Sequence, residues 1–227
     1  MKKFLLLLVG ALIIPISAHA WVYVPSYGDT GWQTFSTSFA SGFSGTVGFV
    51  VSNEGDQALD AHLLLDNLSK GTNNSFESGL TGYTISGTIS AVSTYTASHG
   101  GGSGNVYSPT DGTQMAALYS NGASTSSYVN SLGSLGTNGA ILEMESSISL
   151  DPNETFSFDW AFIATDYIPF EDFSLVYFKN VAGELVSTIG LGELNPEQAA
   201  SVPEPTTMLL LGAGLIGIAG YKRKMLS

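Results

Sequence analysis

Short stretches in which apolar and polar residues alternate recur along residues 21–201, and Gly, Ser, Asn or Pro separates them about every 8–15 residues. In one stretch, Phe35, Thr37 and Phe39 fall on one face, which predicts a half-buried antiparallel strand. The continuous apolar runs at 63–65 and 176–178 predict strands that are buried on both faces. We predict nine strands: Trp32–Phe39, Thr46–Ser52, Ala58–Leu65, Thr84–Val92, Gln114–Tyr119, Ala140–Leu150, Thr155–Ile163, Phe173–Phe178 and Leu185–Ile189.

The predicted fold class is all-β. Nine short strands separated by turns, with no amphipathic helical stretch of useful length, are typical of an antiparallel β-sandwich. Residues 21–201 are numerous enough to form one domain with a sizeable core. The chain contains no cysteine, which excludes disulfides, thiol catalysis, cysteine-bound zinc and iron–sulfur clusters.

Two segments of this domain lack a strand pattern. Residues 96–109 and 121–139 are rich in Gly, Ser and Asn. We predict that both are surface loops. Loops of this length are either mobile or part of a binding rim.

The N-terminus has the three parts of a secretory signal peptide. Lys2 and Lys3 are followed by an apolar run from Phe4 to Ile14, and then by the small-residue sequence 17–20 before Trp21. The alternative is an N-terminal membrane anchor, but the apolar run is short and Pro15 interrupts it. We therefore assign residues 1–20 to a signal peptide that is removed.

The C-terminus combines an extended motif, an apolar segment and a basic tail. Prolines at 203 and 205 exclude helix and central strand from the sequence Val202-Pro203-Glu204-Pro205. Residues 206–221 carry no charge, and we predict that they form a single transmembrane helix. The basic residues 222–224 would hold the end of this helix in the cytoplasm.

This order of parts closely resembles the PEP-CTERM sorting signal of Gram-negative bacteria, with residues 202–227 as the signal. The resemblance implies that exosortase, a membrane-embedded cysteine protease or transpeptidase, reads Val202, Pro203, Glu204 and Pro205. It also implies that the protein is held in the inner membrane through its C-terminal helix before processing. The protein would then reach the cell surface or the extracellular matrix.

The domain between the two signals is strongly acidic. Residues 21–202 contain two lysines, Lys70 and Lys179, against eighteen Asp and Glu residues, which gives a net charge of −16. Such a surface repels nucleic acid, so we expect no nucleic-acid partner. It attracts cations, including divalent ones.

Several segments resemble the galactose-binding-like jelly rolls found in many carbohydrate-binding modules. Residues 74–84, which contain Phe76-Glu77-Ser78-Gly79, are similar to the opening strand of those modules, with Tyr83 where Trp is usual. Residues 109–116 are similar to the strand that follows. Residues 159–162 and 169–173 are similar to the closing strands of PEP-CTERM surface proteins. The resemblance implies a jelly-roll-like sandwich.

The same resemblance implies a structural calcium ion, since jelly rolls of this class often hold one where the opening and closing strands meet. Its ligands would be Glu77 with either Asp66 or Asp172. The alternative is that these acids cap turns and bind no metal. Calcium would bind to hard oxygen ligands of this type.

Aromatic side chains are the expected sugar-binding groups of such a fold, because a planar ring can cover a pyranose face. We predict Tyr83 as the ligand-binding residue, with Tyr95 and Tyr107 as further candidates beside a predicted loop. Trp32 and Trp160 occur in apolar strand patterns, which favours a core position for both.

The sequence offers no convincing catalytic set, and we predict that the protein is not an enzyme. Its domain has two histidines, of which His62 lies in a predicted strand and His99 in a Gly-rich segment. No GxSxG nucleophile elbow occurs. Glu143 and Glu145 share a strand face and are the one carboxylate pair that could cleave a glycosidic bond.

Three functions follow in decreasing order of preference. The first is a structural or adhesive protein of the cell envelope or matrix, associated with exopolysaccharide or biofilm. The second is a dedicated carbohydrate-binding protein that recognises one glycan. The third is a glycan hydrolase that uses Glu143 and Glu145.

Overall fold

A computed structural model of the protein describes residues 21–99, 102–195 and 197–198. The predicted signal peptide (1–20) and sorting signal (202–227), with its transmembrane helix, lie outside these residues. Among the described residues, none belongs to a helix long and apolar enough to cross a membrane.

The chain forms fifteen strands and no helix between residues 21 and 195, apart from the two undescribed positions. The strands are β1 (Val22–Val24), β2 (Gln33–Ser38), β3 (Phe43–Glu54), β4 (His62–Asp66), β5 (Tyr83–Ser86), β6 (Thr88–Val92), β7 (Tyr95–His99), β8 (Gly102–Tyr107), β9 (Met115–Tyr119), β10 (Ala123–Ser124), β11 (Gly136–Met144), β12 (Ile148–Leu150), β13 (Thr155–Ile163), β14 (Phe173–Asn180) and β15 (Leu185–Leu194).

The strands form two large sheets and one hairpin. The eight-stranded sheet has the order β1-β15-β14-β3-β11-β10, with β12 also paired to β3 and β5 to β11. The five-stranded sheet has the order β2-β13-β4-β9-β6, and β7 pairs with β8. All of these pairs are antiparallel except β1 with β15. The prediction of an all-β, antiparallel body is confirmed, and the jelly-roll topology stays a prediction.

The main core lies between the two large sheets. Phe158 of the five-stranded sheet stacks on Phe35 at a centroid distance of 4.7 Å and meets Phe49 of the other sheet edge-on at 5.0 Å. Trp160 is fully buried in the same cluster. These aromatic contacts join the sheets, and each large ring removes apolar area from water.

The predicted strand Thr84–Val92 is wrong in one respect, because it is two strands in different sheets. Gly87 has a φ of +86° and separates β5, which pairs with β11, from β6, which pairs with β9. A Cβ atom at this position would lie 2.4 Å from the Gly139 carbonyl oxygen. A residue without a side chain is therefore needed where the chain crosses between the sheets.

The first predicted loop, 96–109, instead contains most of the hairpin β7–β8. This hairpin covers the outer face of the five-stranded sheet, where Leu64, Met115 and Ala161 form a second buried cluster with Ala97 and Tyr107. The continuous run 63–65 requires this cover, since Leu63 and Leu65 face the main core while Leu64 faces the hairpin. The predicted burial of that run on both faces is confirmed.

The second predicted loop, 121–139, covers the outer face of the eight-stranded sheet. It contains β10 and the start of β11, and the turn between them places Tyr128 on the ring of Tyr177 at 5.6 Å. Val50, Phe173 and Tyr177 are buried beneath it. Both Gly- and Ser-rich segments are therefore packing elements of the sandwich.

Candidate functional site

Two of the predicted calcium ligands, Asp66 and Glu77, hold the same loop from two sides. Asp66 lies at the end of β4, where its Oδ2 accepts hydrogen bonds from the backbone N–H groups of Thr110 (2.6 Å) and Asp111 (3.0 Å). The Oε1 of Glu77 accepts the N–H groups of Thr113 (2.6 Å) and Gln114 (2.8 Å). The structure thus brings these two acids to the same segment, which precedes β9.

Every carboxylate oxygen of this pair accepts a hydrogen bond. Asp66 Oδ1 takes the N–H of Asn67 at 2.8 Å, and Glu77 Oε2 takes the hydroxyl of Thr113 at 2.6 Å. Because all four oxygens accept hydrogen bonds, the pair does not need a cation to satisfy them. The contacts fit the alternative in which the acids cap turns. Burial raises the pKa of Asp66, whereas the Thr113 hydroxyl and the two backbone donors lower the pKa of Glu77.

We expect Glu77→Gln to lower the melting temperature at pH 7 but not at low pH. The lowered pKa of Glu77 means that its contribution is complete above its unfolded-state pKa of 4.5. That contribution disappears as the pH falls through the folded-state value. Thermal melts from pH 7 to pH 2.5 measure the difference between the two proteins. Glu145→Gln removes one charge at another exposed position, and a pH-independent difference for Glu77→Gln would contradict the assignment.

The third predicted ligand, Asp172, lies at a different end of the sandwich. It immediately precedes β14, is fully buried, and accepts the N–H of Glu54 at 3.1 Å through Oδ1. Its Oδ2 has no hydrogen-bond partner in the described part of the chain. Burial raises the pKa of Asp172 well above its usual value, and the nearby carboxylates of Asp166 and Asp56 raise it further.

Asp166 repeats this arrangement on the same loop. Its Oδ1 accepts the N–H of Tyr167 at 2.7 Å, while its buried Oδ2 is also without a partner among the described residues. Burial raises the pKa of Asp166, as does the charge of Asp56. The sequence prediction did not assign a role to Asp166. The density of acids in residues 166–172 was the available signal.

No group of three or more His, Cys, Asp or Glu side chains in the described residues has the geometry to hold a metal ion by itself. The predicted set of Glu77 with Asp172 is not brought together, because the two residues contact different loops. Calcium at Asp66 and Glu77 stays a prediction.

The predicted sugar-binding residue, Tyr83, is buried rather than displayed. Only 6% of its surface is exposed, its ring packs on Phe76 at 5.2 Å, and its hydroxyl donates to the Asn73 carbonyl at 3.1 Å. Tyr83 nevertheless forms one wall of a pocket of about 240 Å³. The hydroxyl-bearing residues Thr72, Ser146, Ser147 and Ser149 line other parts of this pocket.

The other aromatic candidates are structural in position. Trp160 is fully buried, as predicted, and Trp32 is half-buried against Tyr107 at 5.8 Å. The Trp32 indole donates to the Ser108 carbonyl at 3.1 Å. The Tyr95 hydroxyl, on the hairpin, makes a short hydrogen bond with His62 of β4, so both side chains are engaged with each other.

The carboxylate pair proposed for hydrolysis is divided between two environments. Glu143 is half-buried and accepts hydrogen bonds from Lys179 (2.6 Å), Tyr177 (2.5 Å) and Thr46 (3.1 Å). Burial alone would raise the pKa of Glu143, but these donors hold it below its usual value. Glu145 lies beyond the end of β11 and is exposed. The side chain of His99 lies outside the described residues.

The decisive feature of the chain is the segment that follows the sandwich. Its order of a Pro-Glu-Pro sequence, an uncharged stretch and a basic tail can be compared directly with known sorting signals. Residues 201–224 match the PEP-CTERM protein-sorting motif. No curated protein and no solved structure matches the chain.

The PEP-CTERM motif identifies an exported protein that exosortase processes. It also implies membrane anchoring before that processing. The motif covers the four predicted sorting residues, Val202, Pro203, Glu204 and Pro205, all of which lie beyond the described residues. The sandwich precedes this motif in the chain and is therefore the part of the molecule that is exported.

Proposed function

We propose that the delivered sandwich is a structural or adhesive component of the cell surface or extracellular matrix, associated with exopolysaccharide. The PEP-CTERM motif supports delivery to that place. The observation that carries the proposed role is the charge of the domain. Eighteen acids face two lysines in residues 21–202. Both lysines are already paired, Lys70 with Glu154 and Lys179 with Glu143.

Uncompensated carboxylates repel one another and repel acidic polysaccharide unless divalent cations lie between them. Calcium therefore links such a surface to an acidic matrix, and removal of calcium separates them. A non-catalytic role is supported by the way in which the candidate catalytic groups are engaged. Glu143 is fixed by three donors and His62 by Tyr95.

We expect the protein to co-sediment with the exopolysaccharide of its host more strongly with calcium than with a chelator. The measurement is made at constant ionic strength, because matched salt removes simple screening as the cause. The same preparation is expected to release no reducing sugar from common glycans. Equal sedimentation with calcium and with chelator would contradict the adhesive role, and turnover of any glycan would overturn the non-enzymatic one.

The pocket beside Tyr83 supports a second candidate, a carbohydrate-binding protein. An aromatic wall together with several hydroxyl-bearing residues, as found here, suits a small sugar site. A Ser147→Trp variant fills the pocket from an exposed position and leaves Tyr83 in the core. If this variant loses the sedimentation that the unmodified protein retains in chelator, the second candidate is favoured. Unchanged sedimentation would favour the charge-based role.

A further inference from the structure

We propose that Asp166 and Asp172 form a divalent-cation site, best suited to calcium, at the end of the sandwich where β13 leaves the five-stranded sheet and β14 enters the eight-stranded one. The site is distinct from the Asp66–Glu77 loop contact and does not depend on the proposed matrix role. It rests on the two buried carboxylate oxygens that have no partner in the described chain.

The loop that carries both acids is held in place by its neighbours. The Thr165 hydroxyl contacts the carbonyls of Leu59 (2.7 Å) and Asp60 (2.8 Å), which ties residues 164–172 to the loop after β3. The Asp166 carbonyl accepts the N–H of Tyr27 at 3.0 Å, and the Asp172 carbonyl accepts that of Leu194 at 2.8 Å. Both carboxylates are thus positioned by main-chain contacts before any ligand arrives.

Each acid uses one oxygen for a backbone N–H, and its other oxygen has no hydrogen-bond partner among the residues that the structure describes. Asp172 is completely buried and Asp166 is 1% exposed, so neither carboxylate is open to bulk solvent. An uncompensated buried carboxylate is costly, and two of them near each other are more so. The arrangement therefore requires a positive charge or a proton.

The surrounding side chains supply no positive charge. Both lysines of residues 21–202 are paired with acids elsewhere, and the groups that face this end include the carboxylates of Glu54 and Asp56. Glu54 is engaged by Asn130 at 2.7 Å, and Asp56 accepts the N–H of Ala58 at 3.0 Å. Asp166 and Asp172 differ from these neighbours in having a free oxygen that is buried.

Oxygen ligands of this kind select hard cations, and calcium tolerates irregular geometry better than magnesium does. With two carboxylates as side-chain ligands, main-chain carbonyls and water must supply the others. The site therefore falls in the weak class of extracellular calcium modules, with a Kd of about 10⁻⁴–10⁻³ M. Calcium at ten times the Kd would raise the folding equilibrium constant roughly elevenfold.

The test uses the full chain in detergent micelles, with calcium binding measured by equilibrium dialysis and thermal melts recorded with calcium, magnesium or chelator. We expect saturable calcium binding and a higher melting temperature with calcium than with magnesium. Asp172→Asn keeps an oxygen for the Glu54 N–H but removes the charge. This variant is expected to lose the calcium response and to melt higher than the unmodified protein in chelator.

Asp166→Asn is expected to behave in the same way. Asp151→Asn is the matched control, since Asp151 is exposed beside β12 at the opposite end of β3. It removes one charge and should leave calcium binding unchanged. A calcium response that is undiminished in both Asp172→Asn and Asp166→Asn would overturn the proposal. So would the absence of binding together with a melting temperature that rises on mild acidification, because protons would then fill the role of the cation.

Discussion

Replacement of Glu204 by alanine is expected to leave nearly all of the protein in the membrane as uncut precursor. The PEP-CTERM motif spans residues 201–224, and Glu204 is the one charged side chain between its two prolines. An extended peptide is recognised through few side chains, so the loss of one removes much of the recognition energy. Membrane fractionation and intact-mass analysis of the exported protein measure the effect.

The unmodified protein should lack residues 1–20 and the basic tail 222–224 in the same analysis. Glu197→Ala is the matched control, because it removes an acid seven residues earlier, outside the motif. It should be processed normally. A mature species that still ends at Ser227, or normal processing of the Glu204 variant, would contradict the assignment of the cleavage signal.

Replacement of Trp160 by alanine is expected to destabilise the sandwich by about 3–5 kcal/mol. Trp160 is fully buried between the sheets, and its removal leaves a cavity that the surrounding strands cannot fill. A domain is stable by only about 5–15 kcal/mol, so the variant should lose a large part of that stability. Urea denaturation followed by tryptophan fluorescence and far-UV circular dichroism gives the free energy of unfolding.

Trp32→Ala provides the comparison for this measurement. Trp32 is half-buried beneath the hairpin and contributes an edge-on contact with Tyr107 and one hydrogen bond. Its loss should cost clearly less than the loss of Trp160. A larger effect for Trp32 than for Trp160 would mean that the hairpin, rather than the inter-sheet core, dominates the stability of the domain.

The regular parts of the fold were predictable because their side chains alternate or run continuously. The pattern at residues 33–38 and 155–163 located β2 and β13 to within a residue or two. The run Leu63-Leu64-Leu65 also correctly indicated that something must cover the second face of its sheet. The spacing of apolar residues indicates directly which positions are buried. Strands buried on one face alternate apolar and polar residues, whereas strands buried on both faces are continuously apolar.

The parts that were missed depend on contacts between distant residues. Residues 84–92 have the sequence pattern of one strand. The change of sheet at Gly87 was missed because it involves the close approach of Gly139, which is distant in the sequence. The hairpin β7–β8 has few apolar residues, and its stability comes from the cluster beneath it. Neither fact is present in local sequence, because tertiary packing overrides weak β-propensity.

The candidate sites likewise contain features that the sequence predicted and features that it missed. Motif resemblance predicted Asp66 and Glu77 as a possible ligand pair, and both side chains contact residues 110–114. Asp172, predicted as the alternative to Asp66, lies beside Glu54 and Asp166. The free buried oxygens of Asp166 and Asp172 become visible only when hydrogen-bond partners can be counted.

The parallel pairing of β1 with β15 has a consequence for the timing of folding. Val22 pairs with Gly192 and Val24 with Leu194, which joins positions about 170 residues apart. The secreted chain crosses the membrane N-terminus first. The strand β1 therefore has no pairing partner until almost the whole domain has crossed. Contacts of such long range form slowly. The sheet is therefore completed by the last segment to be exported, while the sorting signal immediately behind it still holds the chain in the membrane.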